Sequence, residues 1–277
     1  MKHVFKIRCL TPLFSHGAEP YQREDRKNNI AEKSGVPEIR PASIRGQLRW
    51  WMRGIGYGHH VDDVFGSAAG QQGSASKVVV RVDNIAGDTH KFKPLPHKDW
   101  SRRSGFQAGT EFDLILNERL GGLTDDRRSA LLESVEAWLR MGALGYRATR
   151  GGGSLESVGC ELNYVEWKRR CVELLNLSEW SLWLSSPFNL SEEKIREKIT
   201  DTLGEGAFGG GQPLGGTSPR KTSPLRMRLV SLKGEEGFRI ASVWVEPALD
   251  SFSEAVWILK NGRKVIGQIL ESSELIV

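Results

Sequence analysis

The sequence lacks an apolar run long enough to cross a membrane. A bilayer-spanning helix needs roughly 18 or more consecutive apolar residues. The uncharged stretch at residues 206–219 of this 277-residue chain is instead rich in glycine and proline. The first ten residues, MKHVFKIRCL, carry Lys and Arg between their apolar residues, unlike the continuous apolar core of a secretory signal. We therefore expect a cytoplasmic protein with no membrane contact.

Cysteine is scarce, and the common catalytic motifs are missing. Cys9, Cys160 and Cys171 show no CxxC spacing, which argues against a disulfide framework and a zinc ribbon. No GxSxG or HExxH motif is present, and no glycine-rich stretch leads into GK[ST]. The HHVDD segment at residues 59–63 is the one local group that could hold a metal, but its spacing favours a polar loop. We expect no cofactor and no metal.

Positive charge is concentrated at one end of the chain. The whole chain has 39 Lys+Arg against 34 Asp+Glu, a net charge of +5. Counting the first 60 residues gives 11 basic and 5 acidic side chains, or +6. This distribution is compatible with a polyanionic partner, although it does not identify one.

Hydrophobic periodicity in the first half predicts strands and helices in a recognisable order. Alternation predicts strands at residues 3–10, 77–85, 110–117 and 155–167, and helical stripes occur after Ser43 and over residues 124–142. Residues 11–42 are rich in Pro, Gly and polar residues and are interpreted as a long loop. The order strand, helix, strand, strand, helix, strand is that of a ferredoxin-like unit, an architecture also used by RNA-recognition modules.

The second half shows the same order without obvious sequence repetition. Strands are predicted at 179–185, 225–232, 238–245 and 264–270, and helices at 191–203 and from Ser251 to about residue 259. The sequence thus predicts an α+β fold of two tandem ferredoxin-like domains with long basic and Gly-rich loops. The proposed domains are residues 1–172 and 173–277.

The helix predicted after Pro41 carries a row of arginines. Ser43 is its expected cap, and its apolar stripe is expected to pack on a sheet. Arg45, Arg49 and Arg53 are one helical turn apart along a flank about 90 to 165° from that stripe. Such a row suits phosphate binding, but by itself a solvated arginine face is the more common explanation.

Two Gly-rich segments have cations at their borders. Arg147 and Arg150 flank the glycines of GYRATRGGGS, and Arg220 and Lys221 follow FGGGQPLGG. Glycine lets backbone N–H groups approach a phosphate chain closely, so both segments are candidates for phosphate contact. Flexible linkage is the alternative.

Four blocks of this sequence together resemble a known family. The blocks TPLFSHGAE, PEIRPASIRGQLRWWMR, DVFGSAAGQQGSASKVVVRV and LGYRATRGGGS lie between residues 11 and 154. They resemble the RAMP superfamily of CRISPR proteins, and within it the first RAMP subunits of type III-B Cmr effector complexes. A weaker similarity extends to LGGTSPRKTSPLRMRLV.

The resemblance implies two tandem ferredoxin-like domains and a non-catalytic, RNA-binding role in an RNA-guided antiviral complex. The expected partners are guide (CRISPR) RNA near its 3′ end, target RNA in the guide–target duplex, and other RAMP and small subunits. By resemblance, the expected RNA-binding residues are Arg40, Ser43, Arg45, Arg49, Arg53, Ser74, Ser76, Lys77, Arg147, Arg150, Gly151, Gly152 and Gly153.

Two other hypotheses remain open at this point. A metal-independent RAMP endoribonuclease that processes guide RNA would need a base, an acid and a cation, and His16, Tyr21 and Lys27 are suitable residue types without a defined arrangement. A scaffold whose exposed tryptophans, such as Trp183 and Trp244, contact other subunits is compatible with RNA binding. Trp50, away from the apolar stripe, could stack on a base or lie at an interface.

Overall fold

The protein is a mixed α/β molecule with antiparallel sheets. Its structure is a computed structural model, in which residues 201–205, 216–217 and 220–221 are described by their backbone alone. No helix in the described ranges is long and apolar enough to cross a lipid bilayer. The described residues are 1–17, 35–68, 73–96, 102–119, 121–205, 216–217, 220–221, 223–245 and 273–277.

The first sheet has four antiparallel strands in the order β2-β5-β1-β6. Ile7 of β1 is paired with Phe112 of β5, and Cys9 is paired with Leu155 of β6. These residues are buried, because alternate side chains of each strand point to the covered face of the sheet. The strands are β1 (Lys2–Cys9), β2 (Val78–Ala86), β5 (Glu111–Glu118) and β6 (Leu155–Ser157), with the hairpin β3 (Thr89–Phe92) and β4 (Arg103–Phe106) inserted before β5.

Three helices accompany the first sheet. α1 buries Ile44, Leu48 and Trp51, and α3 buries Leu131 and Trp138, so the apolar stripes of both helices lie in the core. A wide helical turn at Arg53–Tyr57 and a short 3-10 turn at Gly58–His60 connect α1 to α2. The helices are α1 (Pro41–Met52), α2 (Val61–Phe65) and α3 (Asp125–Met141).

Two predictions for the first half are wrong in detail. α1 begins at Pro41, with Arg40 as its N-cap, so Ser43 lies inside the first turn and does not cap the helix. Proline suits this first position because its missing N–H would have no helical partner there. The predicted strand 155–167 ends at Ser157, and α4 (Tyr164–Leu175) follows. A capping box starts α4: Glu166 N donates to Asn163 Oδ1, and Asn163 N donates to Glu166 Oε2.

The second sheet repeats the strand order of the first. Its order is β10-β11-β7-β12, and all its pairings are antiparallel. The predicted hairpin around residues 233–237 is confirmed. The helix predicted from Ser251 and the strand predicted at 264–270 lie outside the described residues. The elements are β7 (Ser181–Ser185), α5 (Glu192–Glu205), β8 (Gly216–Thr217), β9 (Arg220–Lys221), β10 (Leu225–Val230), β11 (Arg239–Trp244) and β12 (Ser273–Leu275).

The two sheets share one hydrophobic core. Leu182, Leu184 and Val243 from one face of the second sheet belong to the same buried cluster as Trp51 and Trp138. The opposite face of the second sheet packs on α5 and forms a smaller cluster with Ile195, Ile199, Leu225, Met227, Leu229, Ile240 and Trp244. The connecting helix α4 contributes to the shared core and runs across the boundary predicted at residue 172.

The two tryptophans predicted to contact other subunits, Trp183 and Trp244, are not exposed. Trp244 is only 2% exposed, and Trp183 is half-buried against the same cluster. Both side chains therefore stabilise the second sheet.

Candidate nucleic-acid interface

Two arginines of α1 bind the end of the neighbouring helix α2. Arg45 Nη2 donates to the carbonyl oxygen of Phe65. Arg49 Nη1 donates to the carbonyl oxygen of Gly66 at 2.7 Å, and its Nη2 lies 3.2 Å from Asp62 Oδ1. Cations are favourable at a helix C-terminus, where carbonyl groups lack helical partners. The first two arginines of the predicted row are thus already held in place.

The remaining predicted residues of α1 are distributed around its first and last turns. Arg40 is half-buried, and its carbonyl oxygen accepts from Ser43 N at 3.0 Å. Ser43 and Arg53 are exposed. A Cβ built on Gly46 would meet nothing within 4 Å, so the outer face of α1 is open between its arginines.

The predicted serine motif folds back onto α2 and lies beside Arg49. Ser67 and Ser74 form a two-way backbone bridge at 3.0 Å, and Ser76 Oγ donates to the carbonyl oxygen of Val78 at 2.7 Å. Gly66 has a φ of +76°, and a Cβ there would lie 2.5 Å from Ser74 O. Lys77 is exposed, and its N–H donates to Val64 O at 3.0 Å. Arg45, Arg49, Ser74, Ser76 and Lys77 are therefore brought together around the end of α2.

The glycines of the first Gly-rich loop are buried, and their N–H groups are used inside the chain. Gly151 N donates to Met227 O at 2.9 Å, Gly152 N to Arg147 O at 3.2 Å, and Gly153 N to Pro12 O at 3.1 Å. A Cβ on Gly153, with φ +61°, would lie 1.9 Å from Leu144 O. These glycines shape the loop, so the groups it offers to a ligand are side chains.

The side chains of this loop form a cationic group around one tyrosine. Tyr146 is 37% exposed, and the guanidinium carbons of Arg103 and Arg147 lie 4.4 and 4.8 Å from its ring centroid. Burial, together with the nearby charge of Arg147, lowers the pKa of Arg150. Arg147 adopts a φ of +66°, which is unusual for a residue with a side chain. Arg103 and Tyr146 were not predicted from the sequence.

The Gly-rich loop also joins the first sheet to the second. Met227 of β10 accepts from Gly151 N and donates to Thr149 O at 3.2 Å, so loop and strand run side by side. Thr11 Oγ1 ties the other side of the loop by donating to Gly151 O at 2.9 Å.

A fully buried arginine of β10 lies next to this junction. Arg228 Nη1 donates to the carbonyl oxygens of Leu139 and Gly142, both at 2.8 Å, and Nη2 donates to that of Leu155. Burial lowers its pKa to about 9, and the charge of Glu156 opposes that shift. Arg228 thus binds the end of α3 and β6 to the second sheet. The sequence signal was an arginine at alternate positions of an apolar strand, LRMRLV.

Trp50 is not available to a nucleobase. Its ring is stacked on Trp180 with centroids 4.5 Å apart, and the guanidinium carbon of Arg226 lies 3.9 Å from its centroid. Trp50 therefore lies at a contact inside the chain, between α1 and the second sheet, and the subunit interface considered for this residue stays a prediction.

The open face of the first sheet offers paired charges. Arg8 donates to Glu111 at 2.8 Å and to Glu156 at 3.0 Å, and Lys6 Nζ lies 2.8 Å from Glu111 Oε2. The side chains that alternate with the buried ones on β1 and β5 are Val4, Lys6, Arg8, Glu111, Asp113 and Ile115. None of these is an aromatic platform of the kind on which RNA-recognition sheets stack bases.

The candidate metal segment and the candidate general base both contact other residues of the chain. His60 Nε2 lies 2.9 Å from Asp126, Asp63 pairs with Arg127 and Asp62 with Arg49, and within the described ranges no three potential ligands converge. His16 Nε2 donates to Ser104 O at 2.8 Å. Tyr21, Lys27 and most of the second Gly-rich segment lie outside the described residues.

The fold and this region define a class: a mixed α/β protein with two antiparallel sheets and arginines concentrated where they meet. A family model of the RAMP superfamily matches residues 6–156, more than half of the chain. The chain belongs to this superfamily.

Two relatives from Pyrococcus furiosus are similar in sequence. The CRISPR system Cmr subunit Cmr1-2 is 24% identical over 193 residues, which cover 55% of this chain and 93% of the relative. Cmr subunit Cmr1-1 is 23% identical over 193 residues, covering 60% of this chain and 54% of the relative.

Two solved structures share the fold over nearly the whole chain. The crystal structure of apo Cmr1 from Pyrococcus furiosus has a TM-score of 0.58 at 14% identity and covers 100% of this chain and 98% of its own. A chain in the cryo-EM structure of type III-B Cmr-beta bound to cognate target RNA and AMPPnP has a TM-score of 0.56 at 11% identity, with coverages of 97% and 98%. Sequence identity is low, so these likenesses show the fold.

Proposed function

We propose that this protein is a non-catalytic, RNA-binding subunit of a type III-B (Cmr) CRISPR RNA-guided effector complex. Its partners would be guide RNA near the 3′ end, target RNA paired to the guide, and other RAMP and small subunits. The protein would work in the cytoplasm. One observation carries the proposal: arginines of α1 lie beside the serine motif, and α1 meets the Gly-rich loop at Gln47 and Ala148, in a chain that is similar to Cmr1 proteins over most of its length.

Two tandem ferredoxin-like domains are part of the same proposal. In support of this, when the four strands of each sheet are numbered along the chain, their spatial order across the sheet is 2-3-1-4, which is the order of a ferredoxin-like unit. We place the domains at residues 1–172 and 173–277, and we expect α4, shared by both, to act as their rigid connection.

Within the proposed site, the structure supports different roles for the predicted residues. Arg49, Arg53, Lys77, Arg147 and Arg150 would supply guanidinium and ammonium donors to phosphates, because phosphate contacts dominate sequence-independent binding. Arg45 would hold the end of α2 and Ser74 and Ser76 the adjoining turn. Gly151, Gly152 and Gly153 would set the shape of the loop that presents its arginines. Arg40 and Ser43 would contribute at the start of α1.

A combined purification and nuclease experiment tests the function. The tagged chain is purified from its own cells, bound RNA is sequenced, and the isolated chain is assayed for cleavage of repeat-containing RNA. We expect CRISPR guide RNA, other RAMP subunits and no cleavage by the chain alone. Cleavage at a repeat boundary that His16→Ala abolishes would overturn the non-catalytic role, and recovery without any RNA or RAMP partner would overturn the whole proposal.

A further inference from the structure

Two groups of arginines in the described part of the chain differ in their partners. The first group lies on β1, α3, α4 and β11 and pairs with carboxylates, as Arg8, Arg128, Arg170 and Arg239 do. A second group has a buried Nε with no hydrogen-bond partner: Arg45, Arg147, Arg196 and Arg226. Buried donors without partners are uncommon in folded proteins and call for an explanation such as a missing ligand.

Arg226 is the member of this group that lies on the second sheet beside α1. It is half-buried on β10, and no described residue accepts a hydrogen bond from it or pairs with it through a carboxylate. Its guanidinium carbon lies 3.9 Å from the centroid of the Trp50 ring, and Trp180 stacks on that ring in turn. Burial lowers its pKa, and no acid among the described residues opposes this shift. Within the described part of the chain, the charge of this guanidinium is therefore not compensated by a carboxylate.

The surroundings of Arg226 place it between the two predicted phosphate-binding elements. A cavity of about 10 Å³, lined by Gln47 of α1, Ala148 of the Gly-rich loop and Arg226, marks where the three elements meet. On one side the loop continues to Arg150, whose backbone is bridged to Met227 next to Arg226. On the other side the outer face of α1 is open at Gly46 and leads to Arg49 and Arg53.

We propose that Arg226 of the second sheet binds a phosphate of the RNA backbone, so that one RNA strand crosses from α1 to the Gly-rich loop over the contact between the two sheets. The Trp50–Trp180 stack holds the guanidinium plane in place, and the free edge donates to the phosphate oxygens, a geometry for which arginine is suited. This inference rests on the proposed RNA binding and adds a contact from the second half of the chain.

The test measures the affinity of the full chain for a labelled single-stranded RNA over a range of salt concentrations. Four variants are compared with the wild type: Arg226→Gln, Arg226→Lys, Gln47→Glu and, as control, Arg169→Gln. The control removes the same charge from an exposed arginine of α4 that pairs with Glu173. Gln47→Glu places a carboxylate beside Arg226 without removing the arginine, so it tests the site even if Arg226→Gln fails to fold.

If Arg226 binds one phosphate, its replacement should lower the RNA affinity and the salt dependence of binding by the amounts expected for one contact. Arg226→Gln and Gln47→Glu should each bind about tenfold more weakly near 0.15 M salt, with a log–log salt slope reduced by about 0.7. Arg226→Lys should keep the slope, and Arg169→Gln should match the wild type.

Two other results would lead to different conclusions. If folded Arg226→Gln and Gln47→Glu bind with the affinity and slope of Arg169→Gln, Arg226 serves packing alone and this inference is wrong, while the proposed function stands. If the wild-type chain itself shows no salt-dependent RNA binding, the proposed function fails together with it.

Discussion

At the scale of single residues, two kinds of arginine can be distinguished by their hydrogen-bond partners. Arg228 is fully buried and satisfies carbonyl oxygens from α3 and β6, whereas Arg147 and Arg226 carry donors that no described residue accepts. The first kind stabilises the fold, and the second kind has a buried donor without a partner in the described part of the chain. Composition alone cannot separate them, because both are ordinary arginines in short motifs.

Replacement of Arg228 should destabilise the protein strongly. Arg228→Met keeps the approximate length of the side chain but leaves the buried carbonyl oxygens of Leu139, Gly142 and Leu155 without their donor. We expect the free energy of unfolding to fall by about 3 kcal/mol, since each orphaned buried acceptor costs about 1 to 3 kcal/mol. Urea denaturation measures this. Arg169→Met on the surface is the control, and a loss for Arg228→Met no larger than for this control would contradict the assigned role.

Glu118 should make stability depend on pH in the acid range. Hydrogen bonds from Arg128 lower its pKa the most, and those from Leu123 N and His3 lower it further, so that it falls from 4.5 to about 2. Because the folded-state pKa lies below the unfolded one, this stabilisation is complete above pH 4.5 and is lost as the pH falls toward 2.

The matching variant is Glu118→Gln. It should lose about 1 to 2 kcal/mol of unfolding free energy at pH 7, and its difference from the wild type should shrink as the pH approaches 2. Denaturation curves at several pH values test this. A constant difference across that range would show that the carboxylate charge is not responsible.

At the scale of elements, the Gly-rich loop is held in a conformation that few residues can adopt. Gly153 has a φ of +61° and would bring a Cβ within 1.9 Å of Leu144 O, whereas Gly159 has a φ of +80° with nothing within 4 Å. Gly153→Ala combines backbone strain with a clash against backbone, while Gly159→Ala introduces strain alone. The pair of variants therefore separates the two effects.

We expect Gly153→Ala to reduce the free energy of unfolding by about 2 kcal/mol more than Gly159→Ala does. It should also weaken RNA binding, because Arg147 and Arg150 would move with the loop. Thermal unfolding and RNA titration of both variants provide the measurements. Equal stability of the two would mean that the loop relaxes around the new methyl group.

Periodicity predicts the element type correctly where it extends over a whole helix or strand pair. The prediction fails where a short local motif determines the element type. α3 and the β10–β11 hairpin agree with prediction because each has a clear apolar period. The strand predicted at residues 155–167 is wrong beyond Ser157, and its last four residues form the first turn of α4. The Asn163-x-x-Glu166 capping box was the signal for the helix. The β3–β4 hairpin was not predicted, since its strands are only four residues each.

At the scale of the whole molecule, the two sheets should unfold together. Residues of both sheets belong to one buried cluster, and Arg228 crosses between them. We expect a single cooperative transition, with far-ultraviolet circular dichroism and tryptophan fluorescence giving the same midpoint. A fragment of residues 1–172 should not fold stably alone. Two separate transitions, or a stable fragment, would show that the halves are energetically independent.

Local sequence motifs predict only part of the candidate site. The row of arginines on α1 and the basic Gly-rich loop were predicted from spacing and from the family resemblance. Their positions beside one another depend on β10, which lies more than 70 residues further along the chain than the loop. Arg103 and Tyr146 were missed for the same reason, because their contact joins β4 to the loop.

Three properties can be predicted from the order of residues alone: the element types with long periodicity, the absence of the common hydrolase and metal motifs, and the segments that carry positive charge. These properties depend on neighbours within one helix or strand, and they are readable from spacing. Which partner each cation has depends on tertiary packing. Arg45 and Arg49 bind the end of α2 and Arg228 is buried among carbonyls, whereas no described acid pairs with Arg226, because different distant elements pack against each of them.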